Sequence, residues 1–322
     1  MKAMVYHTYG STDNLALEQV PQPDPKDNEV LVRVRAASVN SWDWDLVRGE
    51  PFYVRLAGGG LRKPIKKIIG CDVAGTVIEV GKKVTKFKAG DEVFGDISAS
   101  GWGGFAEYVS VQEKTMTHKP EALSFEEAAS LPQAGVMALQ AIRDFREIRA
   151  GDQVVINGAG GGVGTFAIQL VKLIGAEVTA IDRASKFELM QSLGADHVID
   201  FEREDFTVSE DTYDYIIDVV GHHSLFDFKR ALKPGGDYRM IGGPSSLILE
   251  AMFIAPFVSL FGNKKMGILG HKPNKNIELL MKYVEAGEVK PVIGSIYPLE
   301  ELPAALLELG KGDLHGKAII RI

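Results

Sequence analysis

Several shortages in this chain each remove a class of protein. Cys71 is the single cysteine among 322 residues, so neither an internal disulfide nor a cysteine-rich metal knuckle can form. Positive charge is not in excess: 36 Lys and Arg against 43 Asp and Glu leave a net charge of −7, which argues against a nucleic-acid surface as the main business. No apolar run suits a bilayer. The most apolar stretch, Leu247–Phe261, falls short of the roughly 20 residues a span needs and contains Glu250 and Pro256. The opening MKAMVYHTYG lacks the apolar core of a signal peptide. Repeats and low-complexity segments are missing too. A soluble cytoplasmic protein without a stable membrane span is the expectation.

What is present changes texture along the chain. A chain of 322 residues exceeds the roughly 250–300 that one core sustains, so two domains are expected. Up to about Lys119 the pattern is short strands and turns. EVLVRVRA alternates, with Val30, Val32 and Val34 on one face, and GTVIEVG, GDEVFGDI and GFAEYVSV follow, each bounded by glycine. That suits an antiparallel, barrel-like β domain. SFEEAASLPQAGVMALQAIRDF then opens helically, with a capping box at Ser124 and Glu127 and a break expected at Pro132.

From Asp152 the rhythm becomes strand and helix in alternation. Strands are read at QVVING, EVTAID, HVID, YDYIIDVV, GDYRMIG and MGILG, and helices at Thr165–Ile174, Ser185–Leu193 and Ser224–Leu232. Such alternation predicts a doubly wound parallel sheet covered on both faces. One more helix, NIELLMKYVEAG, precedes a last strand, KAIIRI, expected to return to the first domain's sheet. The boundaries expected are residues 1–123, 124–270 and 271–322.

The glycines of NGAGGGVGT admit the dinucleotide spacing G-x-G-x-x-G/A in two registers: Gly162, Gly164, Ala167, or Ala159, Gly161, Gly164. A strand ending near Asn157 favours the second, because the fingerprint's first position belongs in the turn that follows the strand. Gly161 then lets backbone approach a pyrophosphate and Gly164 allows close helix–strand contact. The N–H groups of Gly162 and Val163 face the anion at a helix N-terminus. No Gly-Lys-Ser/Thr follows, which excludes a P-loop. An acid at Asp182, about 20 residues on, completes the pattern for a dinucleotide.

Taken together, RVRAASVNSWDW, IIGCDVAGTVIEVG, FKAGDEVFG, GGFAEYV, NGAGGGVGTFAIQLVKLIGAEV, LGADHVID, DVVG and LKPGG resemble the medium-chain dehydrogenase/reductase superfamily, in its zinc-independent, quinone oxidoreductase-like branch. The resemblance covers essentially the whole chain. It implies an α/β architecture: a GroES-like β-barrel catalytic domain plus a Rossmann domain that binds NADP(H) or NAD(H). It also implies hydride transfer to a quinone, an enone or a related carbonyl compound, and a homodimer. Val220, Gly221, Gly242 and Leu269 join the cofactor residues on this basis. The zinc-dependent relatives carry cysteine at the position of Asn40, Gly-His-Glu at Gly70, Cys71 and Asp72, and a second cysteine near Pro132. Without those ligands no zinc is expected.

Within that frame Asn40 is the first candidate to donate a hydrogen bond to the developing oxyanion, the other reading being an asparagine that caps a turn. Tyr53 is the second candidate, read either as a catalytic phenol or as an exposed loop aromatic. Asp43 is acidic in the family pattern or stabilises a turn. His222 and His223 are read as solvated at a helix start rather than metal-bound, and His271 as a possible neighbour of the nicotinamide. Arg55–Lys67 is read as a solvated basic loop or a gate, and Leu247–Phe261 as a helix at the cleft rim or a dimer contact. Cys71 is read as an inert buried thiol.

Cofactor choice is divided. Asp182 favours NAD through the ribose 2′-hydroxyl, whereas Arg183 and Lys186 favour a 2′-phosphate. Phe201 and Met137 replace the tyrosine and threonine usual in relatives. A dinucleotide-binding protein without turnover is the alternative from another class, and alcohol oxidation, zinc-free or zinc-dependent, a weaker one.

Overall fold

In the computed structural model, which describes every residue except 57–59 and 210, the chain opens with an antiparallel pair, β1 (Lys2–Tyr6) and β2 (Leu15–Gln19). The alternating segment forms β3 (Glu29–Ser38), followed by α1 (Ser41–Arg48), β4 (Asp72–Val80), β5 (Glu92–Asp96), β6 (Tyr108–Gln112) and β7 (Thr117–His118). Helices α2 (Phe125–Ser130) and α3 (Pro132–Arg143) come next. The Ser124 hydroxyl accepts from Glu127 N and the Glu127 carboxylate accepts from Ser124 N, the predicted capping box. Pro132, with no N–H to give, starts α3 where α2 stops.

The alternating half contributes β8 (Gln153–Asn157), α4 (Gly162–Ile174), β9 (Glu177–Asp182), α5 (Phe187–Ser192), β10 (His197–Asp200) and β11 (Tyr213–Asp218). It continues through α6 (Leu225–Ala231), β12 (Leu232–Met240), α7 (Ser245–Phe253), α8 (Ala255–Phe261), β13 (Lys265–Ile268) and α9 (Ile277–Glu285). The chain ends with β14 (Ile293–Pro298), α10 (Leu302–Lys311) and β15 (Lys317–Arg321).

Two compact units result: Met1–Gln133 with Val292–Ile322, and Ala134–Pro291. Both boundaries lie later than the expected 123/124 and 270/271. The first moves because α2 packs on β3 and β4, with the Arg35 guanidinium over the Phe125 ring. The second moves because the chain after β13 stays bound to the parallel sheet's helices. Leu280 of α9 presses on Gly135, and the Gln169 side chain bonds both the N–H and the carbonyl of Lys290.

In the first unit seven strands run in the order β14-β15-β3-β4-β5-β7, with β6 also on β3. As expected, β15 returns to pair antiparallel with β3. The second unit is a six-stranded sheet in the order β10-β9-β8-β11-β12-β13, parallel throughout. Its central strands are buried on both faces, with Val154, Val155, Ile156, Ile216 and Ile217 fully covered. Leu247–Phe261 lies in two helices rather than one: Pro256 at the start of α8 cannot continue the α7 ladder, and the chain turns at Ile254. Among the described residues no helix is long and apolar enough to cross a membrane.

Candidate functional site

The parallel sheet aligns its strand ends. Ile181, Asn157, Asp218, Met240 and Ile268 are register partners at the carboxyl edge, and Asp182 and Asp200 pair one residue beyond them. From β8 the chain winds outward through β9 and β10, then restarts on the other side with β11, so the switch point lies between β8 and β11. Crevices at such points are where open α/β sheets take ligands.

The glycine loop occupies that point. Gly158 turns with φ +84°, and α4 begins at Gly162 with Gly161 as its N-cap. A Cβ on Gly164 would stand 2.4 Å from Gly158 O and 2.5 Å from Ala159 Cα, so only glycine lets the helix come this close. At Gly161 the nearest atom to such a Cβ is Gly158 O at 3.5 Å, leaving the outer face open. Both observations agree with the register Ala159, Gly161, Gly164. The first-turn N–H groups of Gly162 and Val163 supply the anion-facing end of the helix. The cradle therefore fits a dinucleotide's pyrophosphate.

The opposite wall comes from the β11 turn. Buried Asp218 accepts from Asn157 Nδ2 (2.9 Å), Gly221 N (2.9 Å) and Tyr238 Oη (2.8 Å), which fixes Gly221 at φ +63° and holds the two strand ends together. A Cβ on Gly158 would meet Val220 Cγ1 at 2.9 Å, and one on Gly242 would meet Val219 O at 2.7 Å. Val220, Gly221 and Gly242 thus converge beside the glycine loop. Leu269, directly after β13 and buried, bonds through its N–H to Met240 O at the same edge.

The expectation for Asp182 and Lys186 needs correction. The Asp182 carboxylate accepts from Gly160 N (2.9 Å) and Arg183 N (2.9 Å) and pairs with Lys186 Nζ at 3.1 Å. Both residues are buried, and the Lys186 stem lies against Gly160. The acid is covered and neutralised within the loop, and the lysine is spent on it. Arg183 keeps its guanidinium at the surface, paired with Glu202 at 3.1 Å and 6.0 Å above the Phe201 ring. His222 stacks on Phe201, while His223 lies 3.7 Å from Asp205 and packs on Phe206. His271 follows β13, and Met137 is buried in α3.

In the first unit α1 starts at Asn40, and here the second correction falls. Asn40 is 5% exposed, and its Nδ2 is directed at Asp72 Oδ2 (3.0 Å), Ser38 O (3.3 Å) and Cys71 Sγ (3.4 Å). Its Oδ1 accepts from Lys317 Nζ, which also donates to Val39 O at 3.0 Å. The amide expected to meet an oxyanion is consumed inside the fold. Asp43 takes the structural role: its oxygens accept from Asn40 N and Gly70 N, each at 2.9 Å. Burial, outweighing those donors, pushes its carboxyl up to about 7. Cys71 is fully buried, and burial raises its thiol well above the ordinary range.

Tyr53 follows α1 and is 38% exposed, with burial first and nearby Asp45 second raising its phenol. Residues 57–59 of the basic loop lie outside the described residues. In its described part the Arg55 Nε donates to Gly49 O at 2.8 Å and the guanidinium covers the Tyr9 ring, a packing role.

Sequence reasoning missed Gly158, Gly160, Asp218, Gln133 and Lys317. Asp218 carried a signal, an acid closing an apolar strand. Lys317 carried a fainter one, a lysine directly preceding the apolar Ala318–Ile320.

Comparison with known proteins meets this geometry. A family described as alcohol dehydrogenase GroES-like domain matches residues 26–121, and one described as zinc-binding dehydrogenase matches residues 193–320. A chloroplast envelope quinone oxidoreductase homolog of Arabidopsis thaliana is 33% identical, covering 99% of this chain and 98% of its own. The chain belongs to the medium-chain dehydrogenase/reductase superfamily, in its quinone oxidoreductase-like branch. The 2-methylene-furan-3-one reductase of Solanum lycopersicum is 34% identical to this medium-chain reductase, over 99% of the chain and 79% of the relative. The solved quinone oxidoreductase from Coxiella burnetii superposes with a TM-score of 0.88 at 30% identity, covering 100% and 99% of the two chains. The reductase is thus a nicotinamide-dependent oxidoreductase of GroES-like and Rossmann architecture.

Proposed function

We propose that this reductase passes hydride from NAD(P)H to a quinone or to the β-carbon of an α,β-unsaturated carbonyl compound. The observation that carries the reading is the glycine-walled cradle at the sheet's switch point, in a chain matched end to end by relatives named for quinone and enone-type reduction. The nicotinamide supplies the hydride, and the protein must bind it and stabilise the charge that develops on the acceptor's oxygen. Asn40 has no amide hydrogen to spare for that oxygen. Tyr53 is the better donor, since it is 38% exposed and a phenol keeps its proton at neutral pH. Mixing the protein with NAD(P)H and a panel of quinones and enones, and following loss of reduced cofactor, tests the reading. Tight cofactor binding with no turnover on any acceptor favours a dinucleotide-binding protein without catalysis.

The reading extends to cofactor choice. Because Lys186 neutralises and covers Asp182, that carboxylate neither reaches for a ribose hydroxyl nor repels a 2′-phosphate, which supports use of NADPH with Arg183 as the phosphate contact. A homodimer is also part of the proposal. Among the described residues β13 pairs only with β12, and the helices packed beside it expose Phe253 (64%), Phe257 (64%) and Phe261 (82%). An open strand edge bordered by apolar side chains suits a second copy. Light scattering on Phe257→Asp checks this, the variant being expected as a monomer.

A further inference from the structure

The description of the matching family includes zinc, so the ligand-type cluster in the first unit has to be weighed as a metal centre. Cys71, Asp72 and Asp96 are all buried, with one potential ligand atom of each within 4.8 Å of the others. Asp72 and Asp96 face each other directly across β4 and β5, which places two acids where like charges repel.

The donor chemistry does not suit a cation. The other side chains that close on the sulfur are amides presenting N–H: Asn40 Nδ2 at 3.4 Å and Gln133 Nε2 at 3.5 Å from Cys71 Sγ. An amide nitrogen has no lone pair to give a metal. The Asp72 carboxylate is occupied by donors as well: Oδ2 accepts from Ser38 Oγ (3.0 Å), Asn40 Nδ2 (3.0 Å) and Gln133 N (3.2 Å). Asp72 Oδ2 is thus saturated with donors, and Asp96 Oδ1 accepts from Ser98 N at 2.8 Å.

A positive charge is built into the chain instead. Lys317, 4% exposed, brings its ammonium in from β15 and gives hydrogen bonds to Val39 O and Asn40 Oδ1. The Asn40 amide is therefore polarised end to end, its oxygen on an ammonium and its nitrogen on a carboxylate. That alignment strengthens both hydrogen bonds in a low-dielectric interior. It also accounts for a lysine kept out of water without a carboxylate in direct ion-pair contact among the described residues.

We propose that Lys317 is the resident cation of this cluster, its charge relayed to Asp72 through the Asn40 amide, and that the chain takes up no zinc there. The disagreement with the family's zinc then has a physical cause. A covalently tethered ammonium supplies the positive charge through Asn40, and two amides direct N–H groups at the sulfur a metal would require.

The test uses the full-length protein in two arms. Protein purified from zinc-supplemented culture is analysed for metal and melted with and without excess zinc chloride. Far less than one zinc per chain and an unchanged Tm are expected, whereas one zinc per chain or a zinc-dependent rise in Tm overturns the proposal. The second arm is a double-mutant cycle. Lys317→Met is expected to lower Tm by about 10 °C, because it strands buried carboxylates. In an Asp72→Asn background the same substitution costs less than half as much. Equal losses in both backgrounds overturn the relay. Should Lys317→Met yield no folded chain, the zinc arm decides alone.

Discussion

Asn40 and Lys317 stand 277 positions apart in the chain, yet they share a buried hydrogen bond that ties the first helix of the reductase to its last strand. The pairing exists because β15 returns antiparallel to β3, setting Ile319 opposite Ser38. Asn40→Ala removes the acceptor of a buried ammonium and a donor to Asp72 in one change. Stability is expected to fall by about 3 kcal/mol, read from the denaturant midpoint. A loss under about 1 kcal/mol would show the amide to be incidental.

Acidity in the same cluster sets a pH dependence. Burial pushes Asp43 up to about 7 and Asp72 up to about 6, from an ordinary value of 3.8. The folded chain thus holds these protons more tightly than the unfolded chain. The stabilisation is complete below about pH 4 and is lost as pH rises through about 6 to 7. Tm is expected to decline from pH 5 to pH 8, and Asp72→Asn to flatten the decline. Scanning calorimetry across that range checks the sign.

Two glycines in one loop separate packing from ligand access. At Gly164 a methyl group meets backbone at 2.4–2.5 Å, so Gly164→Ala is expected to cost about 1–3 kcal/mol of stability along with cofactor affinity. At Gly161 the nearest atom is 3.5 Å away, and Gly161→Ala is expected to melt like the parent while binding cofactor more weakly. Tm and cofactor-fluorescence titration on both variants distinguish the two roles.

In the proposed reading, cofactor preference turns on Arg183. Asp182 and Lys186 are locked together at 3.1 Å, while the Arg183 guanidinium pairs with Glu202 at 3.1 Å nearer the surface. Arg183→Ala is expected to raise the Kd for NADPH about tenfold, a charged hydrogen bond lost, and to leave that for NADH nearly unchanged. Equal effects on both cofactors would remove Arg183 from phosphate recognition.

Tyr53→Phe isolates the phenol. If Tyr53 donates to the acceptor's oxygen, kcat falls on the order of 10²-fold while the Kd for NAD(P)H stays put. Stopped-flow measurement of a single turnover on a quinone and an enone gives the comparison, and unchanged turnover would assign the donor elsewhere.

The sequence by itself determined whatever depends on neighbours in the chain. Alternation in Glu29–Ser38, the Ser124/Glu127 capping box, the break at Pro132 and the strand–glycine–helix frame from Gln153 to Ile174 are all local patterns. Local geometry follows from local residues because backbone hydrogen bonds and turns close over a few positions. Even the choice of glycine register followed from where β8 had to end. Tertiary structure decided the fate of polar side chains. The local pattern leads one to expect Asp182 as a ribose ligand, but Lys186 covers it. The resemblance leads one to expect Asn40 in the active site, but Lys317 and Asp72 claim both ends of its amide. A buried polar group must be satisfied by whichever partner the fold delivers, and a partner 277 residues away leaves no trace in the spacing around Asn40.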